Sequence, residues 1–288
     1  MRLLFVVLQY LVPQHAFSRL AGWFAESRVT WLKKALIHTF IMFYKVDMSE
    51  AKQEDPDDYA CFNDFFTREL KSGARPIADE ENGIISPADG WFGQCGELDG
   101  TQLLQAKGMH YSTLELLGGD RTDAARFDGG SFVTVYLSPR DYHRVHMPMG
   151  GTLTRMRYIP GKLFSVNQAT AESVPRLFAR NERLVCLFDT NLGQMALVMV
   201  GAMIVAGIDT VWSGPVCPTG ADLTDYDYND REPAVEFTKG DEMGRFRLGS
   251  TVIVLFEPGA VALDSLQALS SVKMGQQIAR AAKRIPGL

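Results

Sequence analysis

From Pro76 onward the chain is written in short apolar runs separated by Gly, Pro, Asp and Asn, and that texture limits its fold more than any other feature. Residues 84–86, 131–137, 152–159, 184–189, 195–200 and 246–256 read as strands, because each run is apolar and bounded by turn formers. Strands this numerous and this evenly punctuated predict an antiparallel sandwich or barrel-like core rather than alternating βα units. Residues 112–117 read as a helix capped by Ser112 and closed by Gly118. With helices at the N-terminal end, the expected class is α+β.

The first 46 residues differ in kind. Arg2, Arg19, Arg28, Lys33, Lys34 and Lys45 face a single acid there, Glu26, so the overall net charge of −5 hides +5 at this end and −10 elsewhere. A chain that is acidic outside one short segment is not a general nucleic-acid binder. Residues 3–12 are nearly all apolar until Pro13 ends any helix. Phe17, Leu20, Ala21 and Phe24 then recur at helical spacing, and Leu32, Leu36, Phe40 and Phe43 set a second stripe. Together with Tyr10, Trp23, Trp31 and Tyr44, they describe amphipathic helices over residues 1–48 that lie in a membrane interface. No run reaches the roughly 20 apolar residues of a spanning helix. Packing against the rest of the protein is the plainer alternative. A signal peptide fits less well, because Gln9 and Pro13 interrupt its apolar region.

Residues 49–58 are polar and acidic and read as a linker, with Asn63 expected to cap a short helix through Leu70. This sets 49–82 apart from a β domain at 83–288. At 288 residues and 46% hydrophobic composition, the chain can build a sizeable core. Cys61, Cys95, Cys186 and Cys217 lack CxxC spacing, which points to reduced thiols rather than a zinc knuckle or a disulfide frame.

Three constellations could carry chemistry. In Leu248-Gly249-Ser250-Thr251 a glycine precedes a serine at the start of a strand, so the Ser250 hydroxyl has open access to the Gly249 carbonyl. Attack there would shift the chain from amide to ester, and elimination with hydrolysis would leave a ketone-bearing pyruvoyl group. Second, two of the five histidines, His143 and His146, stand three apart in YLSPRDYHRVHMP, a pair suited to proton transfer but incomplete as a metal site. Third, Asp89 sits in an SPADG turn, where it either caps its own backbone or orients a histidine toward a serine. Each motif alone also fits an ordinary turn or loop.

Together these blocks resemble the phosphatidylserine decarboxylases of the membrane-associated bacterial type. The resemblance covers nearly the whole chain, with FNDFFTREL at 62–70, SPADG at 86–90, YLSPRDYHRVHMP at 136–148, PGKLFSVN at 160–167 and GRFRLGSTVIVLFEPG at 244–259. It implies that Asp89, His146 and Ser250 form a self-processing triad in which His146 takes the serine proton and Asp89 fixes its tautomer. Cleavage between Gly249 and Ser250 would leave chains 1–249 and 250–288 packed together, the latter beginning with the pyruvoyl group. That group would form a Schiff base with phosphatidylserine, and loss of CO₂ would give phosphatidylethanolamine without metal or pyridoxal phosphate. The resemblance further implies that His143 reprotonates the α-carbon and that Ser165 lies near the headgroup. It also implies a homodimer, peripheral on the cytoplasmic side of the inner membrane and bound to its anionic surface.

Two other classes fit parts of the chain. An interfacial Asp–His–Ser hydrolase would keep its chain intact, although Ser250 lacks a G-x-S-x-G elbow. A non-enzymatic membrane-surface β module would tolerate loss of both histidines.

Overall fold

The computed structural model describes residues 2–80, 82–203, 207–217, 222–247 and 250–282. Six strands form the middle of a nine-stranded sheet: β1 (Gly90–Glu97), β2 (Ser131–Leu137), β3 (Gly151–Ile159), β4 (Arg183–Thr190), β5 (Gly193–Val200) and β6 (Ser250–Phe256). They lie in the order β3-β4-β5-β6-β2-β1, every neighbouring pair antiparallel. Thr224–Asp227 and Glu236–Phe237 pair with β3, and Ser271–Val272 pairs with β1.

Both faces of this sheet are covered. On one side Val133, Val135, Val252, Val254, Leu197 and Met199 pack against smaller sheets that contribute Val145, Ile208, Met243, Phe246 and Ile278. One of these is four-stranded, in the order Gly214–Cys217, Ile208–Thr210, Glu242–Phe246 and Arg144–His146. Another places Gln277–Ala281 between Gly83–Ile85 and Val261–Leu263. On the opposite side Ile253, Leu255, Val198 and Val200 meet Leu103, Tyr111, Leu117, Phe164 and Phe178. A strand buried on both faces cannot alternate apolar with polar residues, and so β6 reads Val-Ile-Val-Leu-Phe without interruption.

That same run corrects one sequence expectation. Residues 246–256 are not one strand: Glu242–Phe246 belongs to the four-stranded sheet and Ser250–Phe256 to the nine-stranded one. The chain changes layers between Arg247 and Ser250. Gly249, and with it the Gly249–Ser250 link, lies outside the described residues.

Among the described residues four α-helices precede the strands, α1 (Arg2–Leu11), α2 (Gln14–Ala25), α3 (Thr30–Tyr44) and α4 (Phe62–Phe66), with one 3-10 turn at Pro56–Asp58. Their apolar stripes do not all turn inward. The residues that α2 buries are Gln14, Ser18 and Ala25, whereas Phe17, Leu20, Trp23 and Phe24 face outward. Only Leu36 and Phe40 of the second stripe pack inward, against Ile37, Phe62, Phe65 and Phe66. Asn63 is not the cap of α4: Cys61 holds that position, and the Asn63 amide donates to Glu26 at 2.8 Å. The helix stops at Phe66 because residues 69–71 are drawn back onto 50–52, with Lys52 N donating to Glu69 O and Lys71 N to Glu50 O. The short helix at Thr113–Leu116 carries the expected cap, with Ser112 and Glu115 bonded reciprocally.

Candidate functional site

One rim of the large sheet collects the chemistry. The lateral register runs from Ile159 opposite Arg183, to Arg183 opposite Val200, Val200 opposite Thr251, Ser250 opposite Leu137, and Tyr136 opposite Trp91. Asp89 therefore precedes β1 at this rim, and the histidine segment leaves it after β2. The chain enters β6 here at Ser250, and the 160–167 loop leaves here after β3. Gly90 is needed for this convergence: a Cβ on it would lie 2.2 Å from the Tyr136 carbonyl oxygen.

Asp89 is buried and fully engaged. Arg75 reaches it bidentately, with Nε at 2.8 Å from Oδ1 and Nη2 at 2.6 Å from Oδ2, and Met274 N donates to Oδ1 at 2.8 Å. Arg75 also bonds Glu50 at 2.7 Å. Asp89 lines a cavity of about 340 Å³ together with Lys45, Arg68, Arg75, Tyr142 and Lys273.

His146 is held by other partners than the sequence suggests. Its Nδ1 lies 2.8 Å from Gly240 O and its Nε2 lies 3.0 Å from the Tyr142 hydroxyl, while its main chain donates to Pro87 O. The expected Asp89–His146 hydrogen bond is thus replaced: a backbone carbonyl sets the tautomer, with Nδ1–H donating to Gly240 and Nε2 accepting from Tyr142. Burial lowers the His146 pKa, and the nearby charges of Glu242 and Asp89 oppose that shift.

His143 is completely buried. Its Nδ1 lies 2.8 Å from Asp141 O, and its ring packs 4.0 Å from that of Phe66. Burial, assisted by the Arg68 charge, pushes its pKa down to about 3, so the ring is neutral at pH 7. With Nδ1–H donated to Asp141, Nε2 carries an open lone pair, and among the described residues this buried atom has no hydrogen-bond partner.

Ser250 is placed by its backbone, opposite Leu137 at the start of β6; its side chain lies outside the described residues. On the near side of the junction, Arg247 N donates to Gly207 O while its guanidinium bonds Asp209 and Glu26, all near 3.0 Å. Ser165 sits in the 160–167 loop, its N–H donating to Gln9 Oε1 at 2.8 Å. That loop is tied to the rim by Asn181, which bonds both Phe164 O and Gly201 O at 2.8 Å. Sequence reading missed Arg75, Tyr142, Gly240 and Gln9. Gln9 had a visible signal, a lone amide in an apolar run, whereas a backbone carbonyl such as that of Gly240 leaves none. Among the described residues no group of three His, Cys, Asp or Glu side chains could hold a metal ion.

Comparison with known proteins yields a coherent set. A family model described as phosphatidylserine decarboxylase matches residues 62–280, and a second, described as PSD, matches residues 4–45. The phosphatidylserine decarboxylase proenzyme of Pseudomonas aeruginosa (strain LESB58) is 57% identical over 278 residues, covering 96% of each chain. That of Ectopseudomonas mendocina (strain ymp) is 57% identical over 281 residues, covering 96% of this chain and 98% of its own. The Pseudomonas fluorescens (strain Pf0-1) proenzyme is 56% identical over 279 residues, with 96% and 98% covered.

Proposed function

The chain belongs to the phosphatidylserine decarboxylase family, and from that premise we propose that it converts phosphatidylserine to phosphatidylethanolamine with a pyruvoyl group made from its own Ser250. The observation that carries this reading is the shared rim, at which the strands next to Asp89, the histidine segment, the loop of Ser165 and Ser250 all begin or end.

Two steps use different groups. In self-processing the Ser250 hydroxyl attacks the Gly249 carbonyl, and the peptide bond gives way to an ester. Elimination then releases residues 1–249 as a carboxylate, and hydrolysis of the remaining enamine expels ammonia and leaves the ketone. His146 takes the serine proton at Nε2, the nitrogen that Gly240 keeps free of hydrogen, once the Tyr142 hydroxyl yields that lone pair. Asp89 supports the resulting imidazolium through its field rather than by a direct bond. In decarboxylation the pyruvoyl carbonyl supplies the electron sink for the bond that breaks. His143, neutral with Nε2 open, is set to take up a proton and return one to the α-carbon. The residues fit that group: its parent serine begins a strand fixed on both sides, and a buried, water-excluded base leaves the same rim.

The helices supply the setting. Among the described residues no helix is long and apolar enough to cross a membrane. Phe17, Leu20, Trp23, Trp31 and Phe43 nevertheless face outward beside Arg19 and Arg28, which supports peripheral docking on the anionic cytoplasmic surface of the inner membrane. The family also implies a homodimer, which sedimentation equilibrium tests.

Denaturing intact-mass measurement is the decisive experiment. Wild-type protein gives two chains meeting at Ser250, the smaller blocked to N-terminal sequencing, while Ser250→Ala remains whole and releases no CO₂ from phosphatidylserine. A single unmodified chain that decarboxylates the lipid would refute the reading. His143→Ala is expected to be cleaved normally yet lose at least about a hundredfold in decarboxylation rate, as removal of a general acid–base group does.

A further inference from the structure

Gln9 and Gln14 occupy buried positions on helices whose outward residues are largely apolar, and their side chains end on the loop that carries Ser165. Gln14 Oε1 accepts from Leu163 N at 2.8 Å and Gln9 Oε1 accepts from Ser165 N at 2.8 Å. Between them Phe164 N donates to Asn181 Oδ1 at 3.1 Å, on the side of the core. Three consecutive loop amides are thus held alternately by the N-terminal helices and by the β domain. Gln14 Nε2 also donates to Gln9 O at 2.7 Å, locking α1 to α2 across Pro13, and Gln9 Nε2 lies 3.3 Å from Thr170 Oγ1. Around this polar seam the Tyr10 and Phe164 rings meet at 4.8 Å, and the Arg180 guanidinium lies over both.

An apolar side chain at either position would bury as well as glutamine does, but it would leave a loop N–H without a partner. Glutamine here fixes one loop conformation, which packing alone does not do. We propose that Gln9 and Gln14 are positioning residues for the lipid substrate: they fasten the 160–167 loop to the membrane-facing helices, so that Ser165 is carried at a set depth relative to the bilayer. This rests on reading Ser165 as a headgroup contact.

The test uses the full-length protein, with Gln9→Met and Gln14→Met removing the acceptors at similar volume and Gln9→Glu keeping one. The double methionine variant should be cleaved at Gly249–Ser250 as in wild type and should exchange amide hydrogens in residues 161–167 at least about tenfold faster. Its KM for phosphatidylserine in vesicles should rise at least about tenfold, since two buried loop hydrogen bonds are lost and one alone carries about that weight, with kcat within about twofold. Gln9→Glu should recover most of the effect, and Gln14→Met alone should show a part of it if the double variant folds poorly. Unchanged exchange in 161–167, or a fall confined to kcat, overturns the clamp. Ser165→Ala separates the two readings: if it leaves KM unchanged while the glutamine variants raise exchange and KM, the headgroup role of Ser165 falls and the clamp stands.

Discussion

At the scale of residues, the two histidines of one short segment are held neutral by different means. His146 keeps both nitrogens engaged, whereas His143 is sealed beneath Phe66 with one nitrogen open. The second arrangement has a cost that pH exposes. His143 titrates near 6.5 when unfolded and near 3 when folded, so between those values the unfolded chain binds more protons. Stability attached to this group is complete above about pH 6.5 and drains away as pH falls toward 3, at up to about 1.4 kcal/mol per pH unit. In the uncleaved Ser250→Ala background, where one chain unfolds, the urea midpoint should drop from pH 7 to pH 5. His143→Leu should lose visibly less over that interval, and an unchanged slope would show that the ring is already charged in the fold. The residue types of this site were legible in the sequence as SPADG and HRVH, but their partners were not. Arg75 reaches Asp89 from beyond the strand Gly83–Ile85 and Gly240 reaches His146 from a turn far along the chain, and such pairings arise only when tertiary packing brings them together.

At the scale of elements, the strands were the most readable part of the chain, because β-branched and aromatic runs between turn residues fit a pleated, buried surface. The error at residues 246–256 is informative: a largely apolar stretch, interrupted only at Arg247 and at Gly249–Thr251, looks like one strand whether or not it changes sheets, and hydrogen-bond partners distinguish the two. β6 buries both faces, and Ile253 is fully enclosed on the side of the helices. Ile253→Ala in the Ser250→Ala background should therefore cost about 2–5 kcal/mol by urea denaturation, through lost transfer energy and the cavity left behind. A cost under about 1 kcal/mol would mean that the site collapses around the gap. The helices were readable as amphipathic, yet their pattern gave no sign of which face meets the protein. In α2 the polar side turns inward, because Gln14 has a bond to make there.

At the scale of the whole molecule, the basic end does less electrostatic work than its sequence suggests. Lys34 is paired with Asp57 at 2.6 Å, and Lys33 is bonded to the carbonyls of Asp57 and Tyr59. The proposed membrane docking would then depend chiefly on apolar area, since Trp23, Trp31 and Phe43 are 68%, 72% and 75% exposed. The triple serine variant at these positions should fold and self-cleave normally but lose at least about tenfold in sedimentation with anionic vesicles, whereas raising salt from 0.1 to 0.5 M should matter less. Steep salt dependence with little effect of the aromatics would reverse that ranking. Surface substitutions are the cleaner test, because deleting residues 1–46 would also strip Gln9 and Gln14 from the loop they hold.

The place of β6 has one more consequence. It lies between β5 and β2 in the interior of the large sheet, and the residues that follow it enter two sheets, at Ser271–Val272 and Gln277–Ala281. Severing the chain ahead of this strand would therefore divide the molecule in name only. Two polypeptides would share a single interior, neither could leave without exposing the other's heart, and the mature protein would melt, migrate and turn over as one body.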